Sequence, residues 1–257
     1  MDNLKNLYKY RALDTEERVE QVRDIIVNHR LYCASVDSFN DPFEFRANIL
    51  LDAPEQIKIK MAVEKMCQTN PNVTQEEVRK LAPAFLKECE HNGPDRIKRR
   101  IFEDYGIVSL TGVLQNILMW SHYADGHKGI CIEFCYSNEA HLDFFARALS
   151  VKYRKKLPII NLYTEDSLAI GKKLLSKSID WSYEQEYRII EYDRNKNEYC
   201  EFEPTLMSKI YLGLHISEKN TEIIKSFVSE IRGNIRPMLM KAYFSSSSYS
   251  FEFKKIE

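Results

Sequence analysis

Segments that read as strands follow one another through the second half of this chain, and this most limits what it can fold into. Alternating or β-rich runs occupy 186–192, 198–202, 209–212, 235–242 and 249–253. One amphipathic helix intervenes, carried by Ile223, Ile224, Phe227, Val228 and Ile231. A regular βα alternation would build a parallel sheet, whereas successive strands call for antiparallel or mixed pairing. The expected class is α+β: a mixed, largely antiparallel sheet with flanking helices.

The first half fits the same sheet with one interruption. Residues 7–11 read as a first strand and 31–35 as a second. Between them Val19, Val22, Ile25 and Ile26 form a helical stripe, with Asp14 as its cap and Glu17 three residues on. Asn40-Asp41-Pro42 ends the second strand, because a residue before proline avoids the helical region. Residues 54–104 then change character. Val78, Leu81, Ala82, Phe85, Leu86 and Cys89 share a helical face behind a Thr74/Glu77 capping box, and a further helix is expected from Asp95. This block reads as a helical insertion or lid on a single domain covering 1–257. Strands return at 107–110, 129–134 and 149–153, a helix is expected at 166–179, and serines 245–248 form a turn.

Composition narrows the function classes. With 37 basic and 38 acidic residues the chain has no global pull toward nucleic acid or membrane. The six cysteines form no CxxC pair, so neither a zinc knuckle nor a disulfide ladder is written here. No apolar run reaches the ~20 residues of a membrane helix, and the polar start reads as lacking a signal peptide. A cytoplasmic protein with reduced thiols is expected, with no membrane partner.

Four clusters place charge among large aromatics. Glu184-Gln185-Glu186-Tyr187-Arg188 follows Trp181 and Tyr183. In a strand beginning near Gln185, Glu186 and Arg188 share one face. Two neighbouring carboxylates can divide acid–base or charge-stabilising roles, and Trp181 and Tyr183 suit stacking on a flat ring. The plain alternative is a Glu186–Arg188 salt bridge. The second cluster ends a short helix at Trp120, His122 and Tyr123 and enters a strand through His127 and Lys128. His122 and His127 are five apart, and with Glu133 they match no zinc spacing, so His122 and Tyr123 read as cleft-lining hydrogen-bonding groups beside a core Trp. The third, Phe39 to Glu44, is a rigid turn in which Asn40 and Asp41 bind backbone amides and Glu44 is placed to face a cleft. In the fourth, Tyr8 and Tyr10 share one strand face and Lys9 and Arg11 the other, where Arg suits a phosphate or carboxylate. The basic runs at 96–100 and 152–156 read as solvated faces.

Taken in order, Tyr8-Lys9-Tyr10-Arg11, the 39–44 turn, Met119-Trp120 with Tyr123, His127-Lys128-Gly129, and Trp181 with Glu184, Glu186 and Arg188 resemble the motifs of a bacterial family known as domain of unknown function 2971. The resemblance spans about 7–243. A weaker one, to small ADP-ribosyltransferase-like toxins, implies a mechanism. Arg11 matches their first-strand position, Ser35 or Tyr123 the middle one, Glu186 the last, and Glu184-Gln185-Glu186 their ExE signature. That resemblance implies NAD as substrate, Arg11 holding its pyrophosphate, and a carboxylate stabilising an oxocarbenium-like charge. The Ser-Thr-Ser run of those toxins is replaced by Ala34-Ser35-Val36.

Three classes compete. The first is a nucleotide-acting enzyme with Glu186, Glu184 and Arg11 at its centre, an effector in bacterial conflict or phage defence acting on a small-molecule nucleotide with a protein or nucleic-acid acceptor; no metal is expected for it. The second is a metal-dependent nuclease or hydrolase using Asp41, Glu44, Glu184 and Glu186. The third is a non-enzymatic binding or immunity module whose helical block holds a partner.

Overall fold

The computed structural model describes residues 5–69, 74–161, 163–165, 171–173, 175–192, 198–233 and 236–256. In chain order the elements are β1 (Asn6–Arg11), α1 (Glu16–Val27), β2 (Arg30–Tyr32), β3 (Ala34–Ser35), β4 (Asn48–Leu50), α2 (Glu55–Thr69), α3 (Gln75–Asp104) and β5 (Tyr105–Thr111). Then come α4 (Ile117–Tyr123), β6 (Ile130–Cys135), α5 (Leu142–Arg147), β7 (Leu149–Ser150), β8 (Lys152–Arg154), β9 (Ile159–Asn161) and β10 (Ser176–Ser178). The chain closes with β11 (Glu186–Tyr192), β12 (Tyr199–Glu201), β13 (Met207–Leu212), α6 (Glu218–Glu230), β14 (Met238–Phe244) and β15 (Phe251–Lys255). The class is α+β, as the strand succession requires.

The chain divides into two compact units, one formed by 1–35, 106–151 and 179–257 and the other by 36–105 and 152–178. The first unit is built on a nine-stranded sheet in the order β15-β14-β13-β6-β1-β5-β11-β7, with β3 beside β5. Pairing is antiparallel for β15–β14, β13–β6, β6–β1, β1–β5 and β11–β7. The β13–β14 pair is parallel, and its two strands are joined through α6, the crossover that parallel neighbours need.

Register on β1 divides the buried groups between two faces. Leu7, Lys9 and Arg11 stand opposite Phe134, Ile132 and Ile130, whereas Tyr8 and Tyr10 stand opposite Glu133 and Cys131; residues directly opposite share a face. The Leu7 face packs against Val22, Ile25 and Ile26 of α1 and against Ile224, Phe227 and Val228 of α6. The Tyr8 face packs Met119 and Trp120 of α4 with Tyr211 and Phe251.

The second unit contains the helices α2 and α3, where Ala62, Ala82 and Leu86 are buried together with Ile59, Val63, Phe85 and Tyr163 against them. It also holds two short parallel pairs, β4–β9 and β8–β10. The helical block expected at 54–104 lies within this unit and shares it with 152–178.

Local readings differ from the structure at five places. The α1 N-cap is Thr15, which accepts from Arg18 N, while Asp14 pairs with the Arg18 guanidinium at 2.8 Å; a charged partner four residues on draws Asp14 away from capping. One helix runs Gln75–Asp104 rather than restarting at Asp95, and it continues through Pro83 and Pro94, neither of which has an amide hydrogen to donate. Residues 31–35 and 149–153 are each two short strands, because their halves pair with different neighbours. Of the helix expected at 166–179, residues 166–170 and 174 lie outside the described residues, and Ser176–Ser178 are strand β10, held by parallel pairing to β8.

Two glycines admit close backbone contact. A Cβ on Gly129 would lie 2.1 Å from the Arg11 carbonyl oxygen, and one on Gly213 would lie 2.2 Å from that of His127. Gly213 N also donates to Gly129 O at 2.9 Å. Gly213→Ala is therefore expected to lower unfolding free energy by about 1–3 kcal/mol, the usual scale of overpacking, with a matching fall in the urea midpoint.

Candidate functional site

The clearest assembly of candidate residues in the first unit joins the end of α4 to the turn 179–184. Asn116 caps α4, its Oδ1 accepting from Leu118 N at 2.9 Å and Met119 N at 3.2 Å. The same side chain donates through Nδ2 to Tyr183 O at 3.0 Å, so one amide fixes both the helix start and the turn. Thr111 Oγ1 donates to Glu184 O, and Gly112 N donates to Gln185 O at 3.0 Å.

On this frame Tyr123 OH donates to Glu184 Oε1 at 2.5 Å. At the adjacent residue of each segment, His122 Nδ1 lies 3.1 Å from Tyr183 OH, with the two rings edge to face. Trp181 stands beside Tyr183 with ring centroids 6.1 Å apart. Glu184 is buried while His122 is exposed. Burial raises the Tyr183 phenol above its ordinary range, and the Glu184 charge adds to that. A carboxylate, two phenols, an imidazole and an indole are thus gathered along one short stretch.

Gln185 adopts φ of +43°, a left-handed conformation uncommon for this residue type and often found at functional sites. It separates the two carboxylates of the ExE run. Beyond it, Glu186 and Arg188 project from one face of β11 and form a bidentate pair, Nε to Oε1 and Nη2 to Oε2, each at 2.8 Å. Arg188 is fully buried and Glu186 nearly so.

Lys9 lies within electrostatic range of both Arg11 and Glu186. Its Nζ donates to Ser109 O at 2.7 Å. Burial and the Arg11 charge push the ammonium down to about 7, with Glu186 pulling the other way. Arg11 bonds to Gln21 of α1, and burial, helped by the Arg18 charge, lowers it to about 10.

The remaining candidates lie elsewhere. Trp120 is a core residue: its Nε1 donates to Leu114 O at 2.9 Å and its ring meets Tyr10 edge to face at 5.1 Å. Tyr8 accepts from Asn6 and is raised to about 12, chiefly by burial, with Asn6 opposing and Glu133 reinforcing. His127, at φ of +69°, packs against His215 and Phe251, and burial followed by the His215 charge lowers its pKa. Lys128 is exposed and stands 3.9 Å from Asp125. Ser35 sits on β3 opposite Gly106. Asn40, Asp41 and Glu44 belong to the second unit, where Asp41 Oδ1 accepts from Phe43 N at 2.9 Å and Glu44 Oε2 lies 3.8 Å from Lys177 Nζ.

The residue reading missed a second polar centre. Glu133, buried on β6, accepts from Ser208 Oγ at 2.6 Å, Tyr211 OH at 2.8 Å and Lys209 Nζ at 3.0 Å. Burial opposes its charge, but these donors together hold its pKa below the ordinary range. A lone Glu in the apolar run Ile130 to Phe134 is the signal in the sequence; its partners come from β13, 75–78 residues on. Among the described residues, no three His, Cys, Asp or Glu side chains gather into a metal-holding group, and no helix is long and apolar enough to cross a membrane.

A family model described as "Protein of unknown function (DUF2971)" matches residues 119–189. The match runs from the middle of α4 to the start of β11 and so takes in His122, Tyr123, Tyr183, Glu184, Glu186 and Arg188. No curated protein and no solved structure matches this chain.

Two outcomes are expected. Arg188→Met leaves a buried carboxylate without its bidentate partner and lowers stability by about 3–5 kcal/mol, read from urea unfolding. Lys9 titrates near 7 in the folded chain and near 10.5 unfolded. Between those values the unfolded chain holds the extra proton, so stability rises with pH across the window. The wild-type urea midpoint should climb from about pH 7 to 9.5, and the climb should be shallower in Lys9→Met.

Proposed function

We propose that the first unit acts on a nucleotide by cleaving or transferring a glycosidic bond, as an ADP-ribosyltransferase or NAD glycohydrolase does, with NAD as the substrate to test first. The observation that carries this reading is the Tyr123–Glu184 hydrogen bond, set between the rings of His122, Tyr183 and Trp181. Cleaving a ribosyl bond builds positive charge at the anomeric carbon, and a fixed carboxylate stabilises that charge as it develops. Glu184 fits the role better than Glu186. The Tyr123 phenol donates to one oxygen of Glu184, whereas both oxygens of Glu186 are bonded to the Arg188 guanidinium, which already neutralises the negative charge of Glu186.

In this reading Tyr123 orients the carboxylate, and Trp181 with Tyr183 offers aromatic surface to a flat ring. Glu186 and Arg188 brace the start of strand β11, next in sequence to the 179–184 turn, a positioning role. Arg11 is bonded to Gln21 under α1 and has no part in the proposal. The weaker resemblance to ADP-ribosyltransferase-like toxins supports the same class of chemistry without naming an acceptor.

The test is proton NMR of the purified chain with NAD, with and without a lysate as acceptor, beside Glu184→Gln and Glu186→Gln. Nicotinamide release is expected from the wild type. It should fall at least a hundredfold in Glu184→Gln, the scale of one lost transition-state contact, with an almost unchanged Tm. Glu186→Gln should lose stability first. Release unaffected by Glu184→Gln would move the reading to another carboxylate. Release abolished by EDTA and restored by Mg²⁺ or Mn²⁺ would favour the metal-dependent hydrolase. No release under any condition would favour a binding module.

A further inference from the structure

The second unit contains a cavity of about 210 Å³, larger than the 150 Å³ or so that holds a benzene ring. Arg154, Lys155 and Lys156 line one wall, at the end of β8 and in the loop that follows. Strand β10 supplies the adjoining wall, because its parallel pairing sets Ser178 beside Arg154 and Ser176 beside Lys152. The third wall is the turn carrying Phe43 and Arg46. That turn is built by the Asp41 carboxylate, which accepts from Phe43 N, and by Arg46 N donating to Phe43 O at 3.1 Å. The basic loop is anchored at its far end, where Pro158 O accepts from Asn48 N at 2.8 Å.

Five cationic side chains thus border one small space: Arg46, Arg154, Lys155, Lys156 and Lys177. No Asp or Glu is among the described lining residues. The nearest paired acid, Glu44, is buried against Lys177. Like charges gathered in a cleft repel one another and raise the local positive potential. A second observation points the same way. Ser176 lines the cavity, is 9% exposed, and its Oγ is buried without a hydrogen-bond partner among the described residues. A buried hydroxyl left unbonded is unfavourable, and an anion oxygen in the cavity would satisfy it.

We propose that this cavity is a binding site for a small phosphoanion, free or carried by a nucleotide, with the basic loop and Arg46 supplying charge and Ser176 a buried donor. A flat basic face for nucleic acid would need neither the enclosure nor the buried hydroxyl. The site belongs to the second unit and does not rest on the glycosidic reading.

Titration calorimetry of the full chain with inorganic diphosphate tests it. The wild type should bind saturably, with affinity falling steeply as salt is raised. Lys155→Gln/Lys156→Gln should weaken binding by about tenfold or more, since bonds to charged groups contribute at that scale, and Ser176→Ala by a smaller factor. The two lysines are exposed, so the double variant should keep its Tm. Glu184→Gln should bind diphosphate as the wild type does. Tighter binding of ADP than of diphosphate, with the same sensitivity to these substitutions, would assign the anion to a nucleotide; equal affinities would assign it to free phosphoanions. No saturable binding by the wild type, or wild-type affinity in both the lysine and serine variants, overturns the proposal.

Discussion

The placement of α4 depends on two backbone contacts that only glycine permits. Gly129 rests on the Arg11 carbonyl and Gly213 on that of His127. Together they clamp the 124–129 loop onto β1 and the end of β13. The loop keeps three successive residues, Asp125, Gly126 and His127, at positive φ, a conformation that costs free energy at the two non-glycine positions. Its own hydrogen bonds offset that cost: Gly126 N to Ser121 O, His127 N to Trp120 O and Gly129 N to Ala124 O. The last turn of α4 is therefore held from below and behind, and Tyr123 and His122 occupy fixed positions beside the 179–184 turn. Trp120 adds the packing, seated between Tyr10 and Phe251.

A single backbone residue gives the two carboxylates of the ExE run different chemistry. In a regular strand Glu184 and Glu186 would project from the same face and compete for the same guanidinium. Gln185 turns left-handed between them, so Glu184 ends the preceding turn and meets a phenol, while Glu186 begins β11 and meets Arg188. One carboxylate takes both guanidinium bonds of Arg188 and the other accepts from the Tyr123 phenol. Groups so treated differ in how readily they respond to positive charge developing nearby.

Much of this architecture was readable before any coordinates, because it rests on local patterns. The alternation of Tyr8 and Tyr10 with Lys9 and Arg11 predicts their division between two faces. Strand succession predicts the mixed sheet, and Thr74 with Glu77 predicts the start of α3, where both halves of the capping box form. The spacing of Glu186 and Arg188 likewise allowed their ion pair as the plain alternative. The failures come from polar partners that the hydrophobic pattern does not encode, some of them distant along the chain. Asp14 reads as a cap until Arg18 takes its carboxylate. The Glu133 centre depends on β13 lying beside β6, which no local pattern announces. The left-handed turn at Gln185 is imposed by bonds from Gly112 and Thr111 to the neighbouring carbonyls, so the residue type alone gives no warning.

The two faces of β1 show how partners, rather than burial, decide whether a buried group keeps its charge. Lys9 and Glu133 both lie against the middle of the sheet, and withdrawal from water opposes the charge of each. Glu133 gathers three donors, one of them the Lys209 ammonium, and remains ionised. Lys9 has the Ser109 carbonyl as its hydrogen-bond partner and the Arg11 cation as a neighbour, so its ammonium weakens to about 7 despite Glu186. The same desolvation therefore produces a fixed negative charge on one face and, on the other, a group that exchanges its proton near neutral pH. That second face also carries Arg11 and looks toward Glu186, so the protonation state of Lys9 sets the local field at the base of β11.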